Sequence, residues 1–335
     1  LPPWTPSFVS MTDLSVIILS YNTKDLTLSC LRSVVKDIKN SSLNAEIIVL
    51  DNASTDGSDE QIEKFATRNP QPATRLIKSK VNLGFAKGNN LAAEKATGKW
   101  LLFLNSDTEV VPGTIKEMND FLSDNPKAGI GSCNLLNPDR TIQQQGGYLP
   151  KLSTVAFWAL FLDDLPVLRQ FLPSYQLRRK SFFSGNPKKT GWVAGTAMWV
   201  FSDLWKKLEG FDESLFMYGE DVELCLRAGK LGWEVMLNPK ASVVHLGKAG
   251  GGKWIQGEVN GLKHIFEIHK QGWEMPFLRM ILGLGMISRW LIFGILKGNG
   301  EYKRSYFEAF KSALPVLAGG IFINIYSALP KVSPI

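Results

Sequence analysis

The sequence contains little cysteine, with Cys30, Cys133 and Cys225 spread through 335 residues. Because the three are widely spaced and odd in number, they exclude a disulfide framework and a cysteine-rich zinc site. This usage favours a reducing compartment. The chain also lacks a run of basic residues interleaved with aromatic ones, so no nucleic-acid partner is expected.

The glycine-rich phosphate motifs are missing as well. Residues 19–24, after the first apolar run, read Leu-Ser-Tyr-Asn-Thr-Lys, where a dinucleotide-binding fold would place G-x-G-x-x-G. Neither a P-loop nor a nucleophile elbow occurs elsewhere in the sequence. These absences argue against a nicotinamide dehydrogenase, a P-loop nucleotidase and a serine hydrolase of the elbow type.

The composition is that of a globular protein with a basic balance. Hydrophobic residues make up 44% and charged residues 21%, so the chain can bury a sizeable core in one large domain or two ordinary ones. Lys and Arg number 38 against 31 Asp and Glu, a formal net charge of +7. This charge suits an anionic partner, either a phosphorylated ligand or an anionic membrane surface.

The first ten residues, Leu1–Ser10, contain three prolines and neither an apolar run nor a basic leader. They are not typical of a secretory signal, so we expect a cytoplasmic chain in which residues 1–11 form an N-terminal extension. Met11 lies just before the first apolar run and is a candidate for the natural start.

Short apolar runs alternate with helical patterns from residue 14 onward. The predicted strands are Leu14–Ser20, Glu46–Leu50, Thr74–Lys78, Trp100–Leu104, Gly129–Leu136, Gly191–Phe201, Trp233–Leu237 and Ser242–His245. The predicted helices are residues 24–39, 56–69, 85–96 and 218–231. This alternation predicts an α/β fold with a mainly parallel central sheet and helices on both faces.

Polar residues directly follow three of the apolar runs. Tyr21 and Asn22 follow the first run, Asp51 ends the second, and Ser106 and Asp107 follow the fourth. Because ligands of such sheets bind beyond the carboxyl ends of the strands, these residues predict a binding crevice.

The acids of the second loop have two interpretations. A carboxylate at Asp51 can accept the imide N–H of a uracil or thymine, and we favour this role over a plain turn residue. Asp56 is as well explained as a turn or cap residue. In the next loop, Asn82, Gly84 and Asn89 belong to a segment whose glycines permit close approach to phosphate or sugar oxygens at a helix start.

Two further positions suggest metal and proton chemistry. Asp107 leaves a buried strand, as expected of a carboxylate that binds Mg²⁺ or Mn²⁺ on a diphosphate, and His245 ends a later strand beside a glycine-rich loop, Gly250–Gly252. Glu220 and Asp221 lie among Phe, Met and Tyr residues, a setting suited to a general base. Acids stabilised at a helix start are the alternative for this pair.

Five segments together resemble glycosyltransferase family 2. They are LSVIILSYN, VLDNASTDGS, NLGFAKGNN, FLNSDTEV and GFDESLFMYGEDVELCLRAGKLGW, within residues 12–250. The last segment resembles the bacterial rhamnosyltransferases of cell-surface polysaccharide assembly. The resemblance implies the GT-A fold, an inverting reaction and a divalent cation, Mg²⁺ or Mn²⁺.

The resemblance also implies roles for individual residues. Asp51 resembles the acid that reads the nucleobase, Asp107 the last acid of the D-x-D metal motif, and His245 the histidine that completes the metal site. Asn105 stands where that motif has its first acid, so Asp107 must carry most of the ligation. Asp221 resembles the catalytic base, with Glu220 as its neighbour and Arg227 as a salt-bridge partner for that pair. The residues expected to bind the nucleotide-sugar are Ser20, Tyr21, Asn22, Asp51, Asn82, Gly84, Asn89, Ser106, Asp107, Trp192 and Gly195; Trp192 has a core role as its alternative.

Processive members of the family carry Q-x-x-R-W after the base motif, and no such motif follows Asp221. We therefore expect transfer of one sugar, from a dTDP-rhamnose-like or UDP-sugar donor, to a hydroxyl of a lipid-linked glycan. Alternatives are UDP-galactofuranose or UDP-N-acetylglucosamine as donor, or a non-catalytic subunit that binds a nucleotide-sugar.

The C-terminal part is apolar. We expect a catalytic domain at residues 12–272, with an acceptor-side insert near 146–190, and C-terminal helices at 273–335. Residues 276–297 are about as long as a membrane span, but Arg279, Arg289 and Lys297 fall on one side of a helical wheel. This pattern favours a helix lying in the membrane interface, with its cations towards lipid headgroups and residues 315–329 beside it. A true span, or packing on the domain, is the alternative. The protein is thus expected on the inner face of the cell membrane.

Overall fold

The computed structural model describes residues 12–168, 171–247, 253–296 and 300–314. Ten strands in these residues form a single sheet. In chain order they are β1 (Leu14–Ser20), β2 (Ala45–Asp51), β3 (Ala73–Lys78), β4 (Trp100–Asn105), β5 (Thr108–Val110), β6 (Ala128–Leu136), β7 (Ile142–Gln143), β8 (Lys188–Thr190), β9 (Ala197–Phe201) and β10 (Glu234–His245). The spatial order is β3-β2-β1-β4-β9-β6-β10-β5, with β7 on β6 and β8 on β10.

The first half of the sheet is parallel. β1 pairs in parallel with β2 and with β4, and β2 pairs in parallel with β3. The runs of Val, Ile and Leu in β1, β2 and β4 are buried, because helices cover both faces of the sheet. These strands occur where the sequence predicts them.

Beyond β4 the sheet becomes mixed. β9 is inserted between β4 and β6 and runs antiparallel to both, while β6 and β10 pair in parallel. β10 joins the two strands predicted at 233–237 and 242–245, because the break at 239–241 is a bulge within one strand. β5 was not predicted, because it has no apolar run in the sequence, and it pairs antiparallel with the end of β10. The description "mainly parallel" therefore holds only for the first half.

Ten α-helices lie within the described residues. They are α1 (Lys24–Ser41), α2 (Ser58–Arg68), α3 (Phe85–Ala93), α4 (Thr114–Asp124), α5 (Leu152–Ala159), α6 (Ser202–Lys207), α7 (Glu220–Lys230), α8 (Lys253–His269), α9 (Glu274–Arg289) and α10 (Gly300–Ala313). α1, α2 and α4 pack on one face of the sheet, and α3, α7, α8 and α9 share the core on the other. The predicted arrangement with helices on both faces is confirmed.

The segment between β7 and β9 contains one short strand, β8, and is otherwise built around aromatic side chains. Besides α5 it contains short 3₁₀ turns at Leu162–Asp164 and Lys180–Phe183. The Tyr175 ring contacts Trp158 edge-on and stacks on Trp192, with centroids 5.6 and 5.2 Å apart. This aromatic group fixes the segment against the side of the sheet that carries α7.

Helix α9 packs on α5, and its buried side carries Arg289. The guanidinium donates hydrogen bonds to the carbonyls of Trp158 and Ala159 and lies over the Phe161 ring, 4.0 Å from its centroid. Burial lowers the Arg289 pKa to about 10. The prediction that Arg289 faces lipid headgroups is therefore wrong, because α5 supplies carbonyl acceptors that a helical wheel cannot show.

Together with the π-helical turn Trp290–Leu296, α9 forms one long apolar helix. The helix at residues 274–293 contains an 18-residue window with a mean hydropathy of 1.4, enough by length and composition to cross a membrane, and a third of that window is buried in the protein. Predictions made for residues 1–11, Gly250–Gly252, Lys297 and 315–329 lie outside the described residues.

Candidate active site

Asp51 is at the carboxyl end of β2, on the floor of the crevice. Its side chain is buried, and Oδ2 accepts a hydrogen bond from the Ser54 N–H at 3.0 Å. Oδ1 is buried without a hydrogen-bond partner among the described residues. A buried carboxylate oxygen without a partner is costly, so this atom is suited to a donor group on a ligand.

Asn22 shapes the loop beside Asp51. Its backbone is left-handed (φ 53°), its N–H donates to Ser54 Oγ at 2.9 Å, and its Oδ1 accepts the Thr55 N–H at 2.8 Å. The neighbouring Tyr21 ring is about half exposed at the crevice. Asn22 thus ties the loop after β1 to the loop after β2.

Asp56 connects the same loop to the first residues of α1 and α2. It accepts the N–H groups of Lys24 and Ser58 at 2.9 and 3.0 Å. These contacts occupy both carboxylate oxygens with the starts of α1 and α2. The turn-and-cap interpretation of Asp56 is therefore the one that fits the geometry.

A chain of hydroxyls connects β1 with β4. Ser20 is fully buried, with its Oγ 3.0 Å from Thr27 Oγ1, and Thr23 Oγ1 lies 3.0 Å from Ser106 Oγ. These contacts hold the ends of the two strands together. Ser20 and Ser106 stay predictions as donor-binding residues.

The loop after β3 is held by amide side chains. Asn82 Oδ1 accepts hydrogen bonds from Asn52 Nδ2 and from the Gly84 N–H, both at 2.9 Å. Asn89, buried in α3, donates to the Phe85 carbonyl at 2.9 Å. The sequence identified this loop, although Asn52 was not among the residues expected to bind the donor.

The same loop touches the segment that precedes the acid pair. Gly84 has a left-handed backbone (φ 79°), and a Cβ there would lie 2.6 Å from the Phe216 carbonyl oxygen. From α3, Asn90 binds both backbone groups of Phe211, accepting its N–H and donating to its carbonyl at 2.9 Å. Asn90 was not predicted as a site residue. Its position in the motif NLGFAKGNN was the available signal.

Asp107 and His245 are brought together by strand register. His245 pairs with Thr108 across β10 and β5, and the Leu246 N–H donates to the Asp107 carbonyl at 2.7 Å. His245 Nε2 then lies 3.3 Å from Asp107 Oδ1, while Nδ1 lies 2.9 Å from Gln143 Oε1. When Nδ1–H donates to Gln143, the neutral imidazole presents the Nε2 lone pair towards the Asp107 carboxylate.

These groups fit a divalent cation. An imidazole whose other nitrogen is hydrogen-bonded, next to a carboxylate, is a common half of a metal site. Gly247 makes room for the Asp107 carboxylate, because a Cβ at this position would lie 1.7 Å from Asp107 Oδ2. Among the described residues no cluster of three or more His, Cys, Asp and Glu side chains could hold a metal, so a ligand's phosphates and water would have to supply the other donors.

Glu220 and Asp221 form the first turn of α7, after a strained turn in which Tyr218 and Gly219 both have left-handed backbones. Asp221 Oδ2 accepts the Gly195 N–H at 2.9 Å, and Oδ1 accepts the Val222 N–H at 2.8 Å. Burial raises the pKa of both acids, and the Asp221 charge adds to the rise at Glu220. Glu220 Oε2 is buried without a partner among the described residues.

The two acids differ in their surroundings. Two backbone donors favour the ionised form of Asp221, whereas burial and the charge of Asp221 raise the pKa of Glu220 well above its usual range. Arg227 does not pair with Glu220, as the sequence suggested, because it forms a bidentate salt bridge with Glu223 one turn away. Asp221 is therefore the group of this pair that can accept a proton.

A third carboxylate in this region was not predicted from the sequence. Glu258, on α8, accepts a hydrogen bond from the Tyr175 hydroxyl. Burial, and then the charge of Asp221, raises its pKa to about 7. Trp192 supports this contact indirectly, since its ring stacks on Tyr175 and its Nε1–H donates to the Tyr175 carbonyl at 2.8 Å.

The two groups of acids share one edge of the sheet. The Asn105 N–H donates to the Thr196 carbonyl at 3.0 Å, next to the Gly195 N–H that holds Asp221. The charges of Glu220, Glu258 and Asp107 all contribute to raising the Tyr218 pKa, after burial as the main cause. Asp107 and Asp221 thus converge on the carboxyl end of β4. Two cavities, of about 210 and 430 Å³, lie elsewhere and include none of the predicted site residues.

The fold and this crevice define a glycosyltransferase with the GT-A fold. The family model described as Glycosyl transferase family 2 matches residues 15–182, half of the chain, and the chain belongs to that family. The resemblance derived from the five sequence segments is confirmed.

The chain is similar in sequence to two bacterial proteins. The chain is 28% identical over 211 residues to the N-acetylglucosaminyl-diphospho-decaprenol L-rhamnosyltransferase of Mycobacterium tuberculosis, covering 59% of this chain and 66% of that protein, just under two thirds. It is 29% identical over 208 residues to the O-antigen biosynthesis protein RfbC of Myxococcus xanthus, covering 60% of this chain and 15% of that one.

Solved structures support the fold alone. GalNAc-T7 with UDP, GalNAc and Mn²⁺ superimposes with a TM-score of 0.60 at 16% identity, covering 91% of this chain and 56% of that one. The mannosyltransferase PcManGT from Pyrobaculum calidifontis, in complex with GDP-Man and Mn²⁺, gives 0.55 at 18% identity, covering 90% and 85%. Both neighbours are named with a nucleotide or nucleotide-sugar and Mn²⁺.

Proposed function

We propose that the chain is an inverting, metal-dependent transferase that moves one sugar from a nucleotide-diphospho-sugar to a hydroxyl of a lipid-linked glycan. The donor class is a dTDP-rhamnose-like sugar or a UDP-sugar, in keeping with the pyrimidine reading of Asp51. The observation that carries the proposal is Asp221, a carboxylate with a raised pKa held by two backbone N–H groups beside Asp107 and His245. The lipid-linked acceptor, expected from the sequence, agrees with the name of the mycobacterial relative, an N-acetylglucosaminyl-diphospho-decaprenol L-rhamnosyltransferase.

In this mechanism the side chains divide the work. The Asp51 carboxylate binds the base of the donor nucleotide, and the loops after β1 and β3 hold its sugar and phosphates. Asp107 and His245 would hold the divalent cation, which supplies neutralisation of the charge on the leaving diphosphate.

The chemical step is a single displacement. The acceptor hydroxyl gives its proton to Asp221 as its oxygen bonds to the anomeric carbon of the sugar. The bond from that carbon to the diphosphate oxygen breaks, with its electron pair leaving on the nucleoside diphosphate, and the anomeric configuration inverts. Activity should fall as pH decreases through the raised pKa of Asp221, because the base must be ionised to act.

The test is hydrolysis and transfer across a panel of UDP- and dTDP-sugars with Mn²⁺. We expect turnover of at least one donor, and a loss of about 10²- to 10⁴-fold in Asp221→Asn, the range for removal of a general base. Asp203→Asn, an exposed acid on α6, is the matched control and should keep wild-type rates. A chain that binds a nucleotide-sugar tightly but turns over none would be the non-catalytic subunit instead.

We also propose that α9 attaches the enzyme to an anionic membrane surface through its outward side. That side carries exposed apolar residues at helical spacing: Trp273, Phe277, Met280, Leu284 and Leu291. Leu278, Leu282, Met286 and Arg289 on the opposite side are buried against the rest of the protein. A membrane span would have to expose that buried side, so binding in the interface is the favoured mode.

Vesicle co-sedimentation tests this attachment. We expect the chain to bind vesicles that contain phosphatidylglycerol more strongly than phosphatidylcholine vesicles, and Leu284→Asp to weaken binding at least fivefold by placing a charge in the apolar contact. Val81→Asp, an exposed apolar position in the loop after β3, should bind like the wild type. Equal loss in the two variants would disprove a specific role for α9.

A further inference from the structure

Helix α8 lies in backbone contact with the turn that precedes the acid pair. A Cβ on Gly219 would lie 2.7 Å from Gly261 Cα, and a Cβ on Gly257 would lie 2.3 Å from the Tyr218 ring. Gly257 and Gly261 are four residues apart, so they lie on the same face of α8. Their lack of side chains lets α8 approach α7 closely enough to place Glu258 beside the acids of α7.

The position of Glu258 is fixed from the other side by Tyr175. The Tyr175 hydroxyl donates to Glu258 Oε1. The tyrosine itself has no room to move, since its ring is buried between Trp158 and Trp192 and Gly147 packs directly on its carbonyl. Tyr175 is therefore a rigid donor that holds one oxygen of Glu258 in place.

The second oxygen of Glu258 is left for a ligand. No described group hydrogen-bonds Oε2, and the residue is only partly buried, whereas Glu220 beside it is buried. Four titratable groups face Glu258 from the elements packed against α8: Tyr175, Tyr218, Glu220 and Asp221. A hydroxyl has a single hydrogen, so the hydroxyl that gives its hydrogen to Asp221 cannot also donate to Glu258, and a hydrogen bond to Glu258 needs a second hydroxyl or the second hydrogen of a water molecule.

We propose that Glu258 is the positioning residue for the nucleophile: its Oε2 accepts a hydrogen bond from a hydroxyl of the acceptor sugar, or from water, next to the hydroxyl that Asp221 deprotonates. This proposal rests on the proposed transferase function and adds an acceptor-side carboxylate to it. The ligand chemistry is a polyhydroxylated acceptor with two neighbouring hydroxyls, of which one reacts and the other is held.

Donor hydrolysis tests the proposal without knowledge of the acceptor, because water then takes the place of the hydroxyl. We expect Glu258→Gln to lower kcat for hydrolysis about tenfold, as for loss of a hydrogen bond to a charged group, and to leave the donor KM within twofold. In the wild type the rate should also rise as pH increases through about 7, where Glu258 ionises, and this rise should be absent from the variant.

Tyr175→Phe gives an independent prediction. The tyrosine hydrogen bond lowers the Glu258 pKa, so its removal should move the rise in rate to higher pH. Glu267→Gln, the same substitution at an exposed position of α8, should keep the wild-type kcat and profile. A purely structural role would reduce activity without moving the profile.

The outcomes separate this proposal from the proposed function. If Asp221→Asn is inactive but Glu258→Gln keeps the wild-type kcat and pH profile, the role of Glu258 is disproved and the transferase mechanism stands. If Asp221→Asn hydrolyses the donor at the wild-type rate, the mechanism itself fails. A wild-type chain that turns over no donor overturns both.

Discussion

In the parallel half of the sheet the side chains at the carboxyl edge bind mainly one another, whereas in the mixed half they are left partly unpaired. Asn22 and Asn82 are engaged with neighbouring backbone groups and hold the loops in shape. Glu220 and Glu258 instead have raised pKa values in a buried setting. In the proposed mechanism the first half therefore holds the donor, and the second half carries out the proton transfer.

Among the substitutions that test this comparison, the largest effect is expected where the two halves meet, at Asp107 and His245. In Gly247→Ala the added methyl would occupy the place of Asp107 Oδ2, so the carboxylate must turn away from His245. We expect Mn²⁺ affinity, measured by isothermal titration calorimetry with UDP present, to fall about 10- to 100-fold. Gly272→Ala, where a Cβ meets open space, should bind Mn²⁺ normally. Unchanged affinity in Gly247→Ala would remove Asp107 from the metal site.

A smaller effect is expected from the link between α3 and the segment before α7. Asn90→Ala removes both hydrogen bonds to the Phe211 backbone and leaves its N–H and carbonyl without these partners. The expected cost is about 1–3 kcal/mol in the free energy of unfolding, measured by denaturant titration. Asn40→Ala, at an exposed position near the end of α1, serves as the control. If Asn90→Ala lost no more stability than Asn40→Ala, other contacts would have to hold the two halves together.

The smallest effect tests the charge state of the mixed half. The pKa of Glu220 is raised on folding, so its protonated form stabilises the folded state. This contribution is fully present below the pKa that Glu220 has in the unfolded chain, and it is lost as pH rises through the pKa of the folded state. Glu220→Gln cannot ionise, so we expect it to gain on the order of 1 kcal/mol over the wild type at pH 8 relative to pH 5. Thermal unfolding at the two pH values measures this difference, with the exposed Glu60→Gln as control. If the difference in stability between Glu220→Gln and the wild type were the same at pH 5 and pH 8, a raised Glu220 pKa would be contradicted.

The parallel half could be read from the sequence because strands covered on both faces form continuous apolar runs, as in β1, β2 and β4. Polar residues at the ends of those runs then mark the crevice. The mixed half gave weaker signals. β5 and β7 contain only three and two residues, too few for a hydrophobic pattern, and Asn238 to Lys240 interrupts the apolar pattern of β10.

The acid pair was found from its apolar surroundings, but Glu258 was not. In sequence it is one of two acids on an amphipathic helix, and only the tertiary approach of α8 places it beside Asp221. The spacing of Gly257 and Gly261 was the available signal. The prediction for Arg289 failed because its hydrogen-bond acceptors are carbonyls of α5, which is far away in sequence.

The pairing of β5 with β10 has a consequence for the synthesis of the chain. Asp107 is made early, but its histidine arrives only with the last strand of the sheet. A nascent chain that has emerged as far as α6 therefore contains the nucleotide loops without the complete cation pair. The proposed cation site is therefore complete only after β10 has been synthesised.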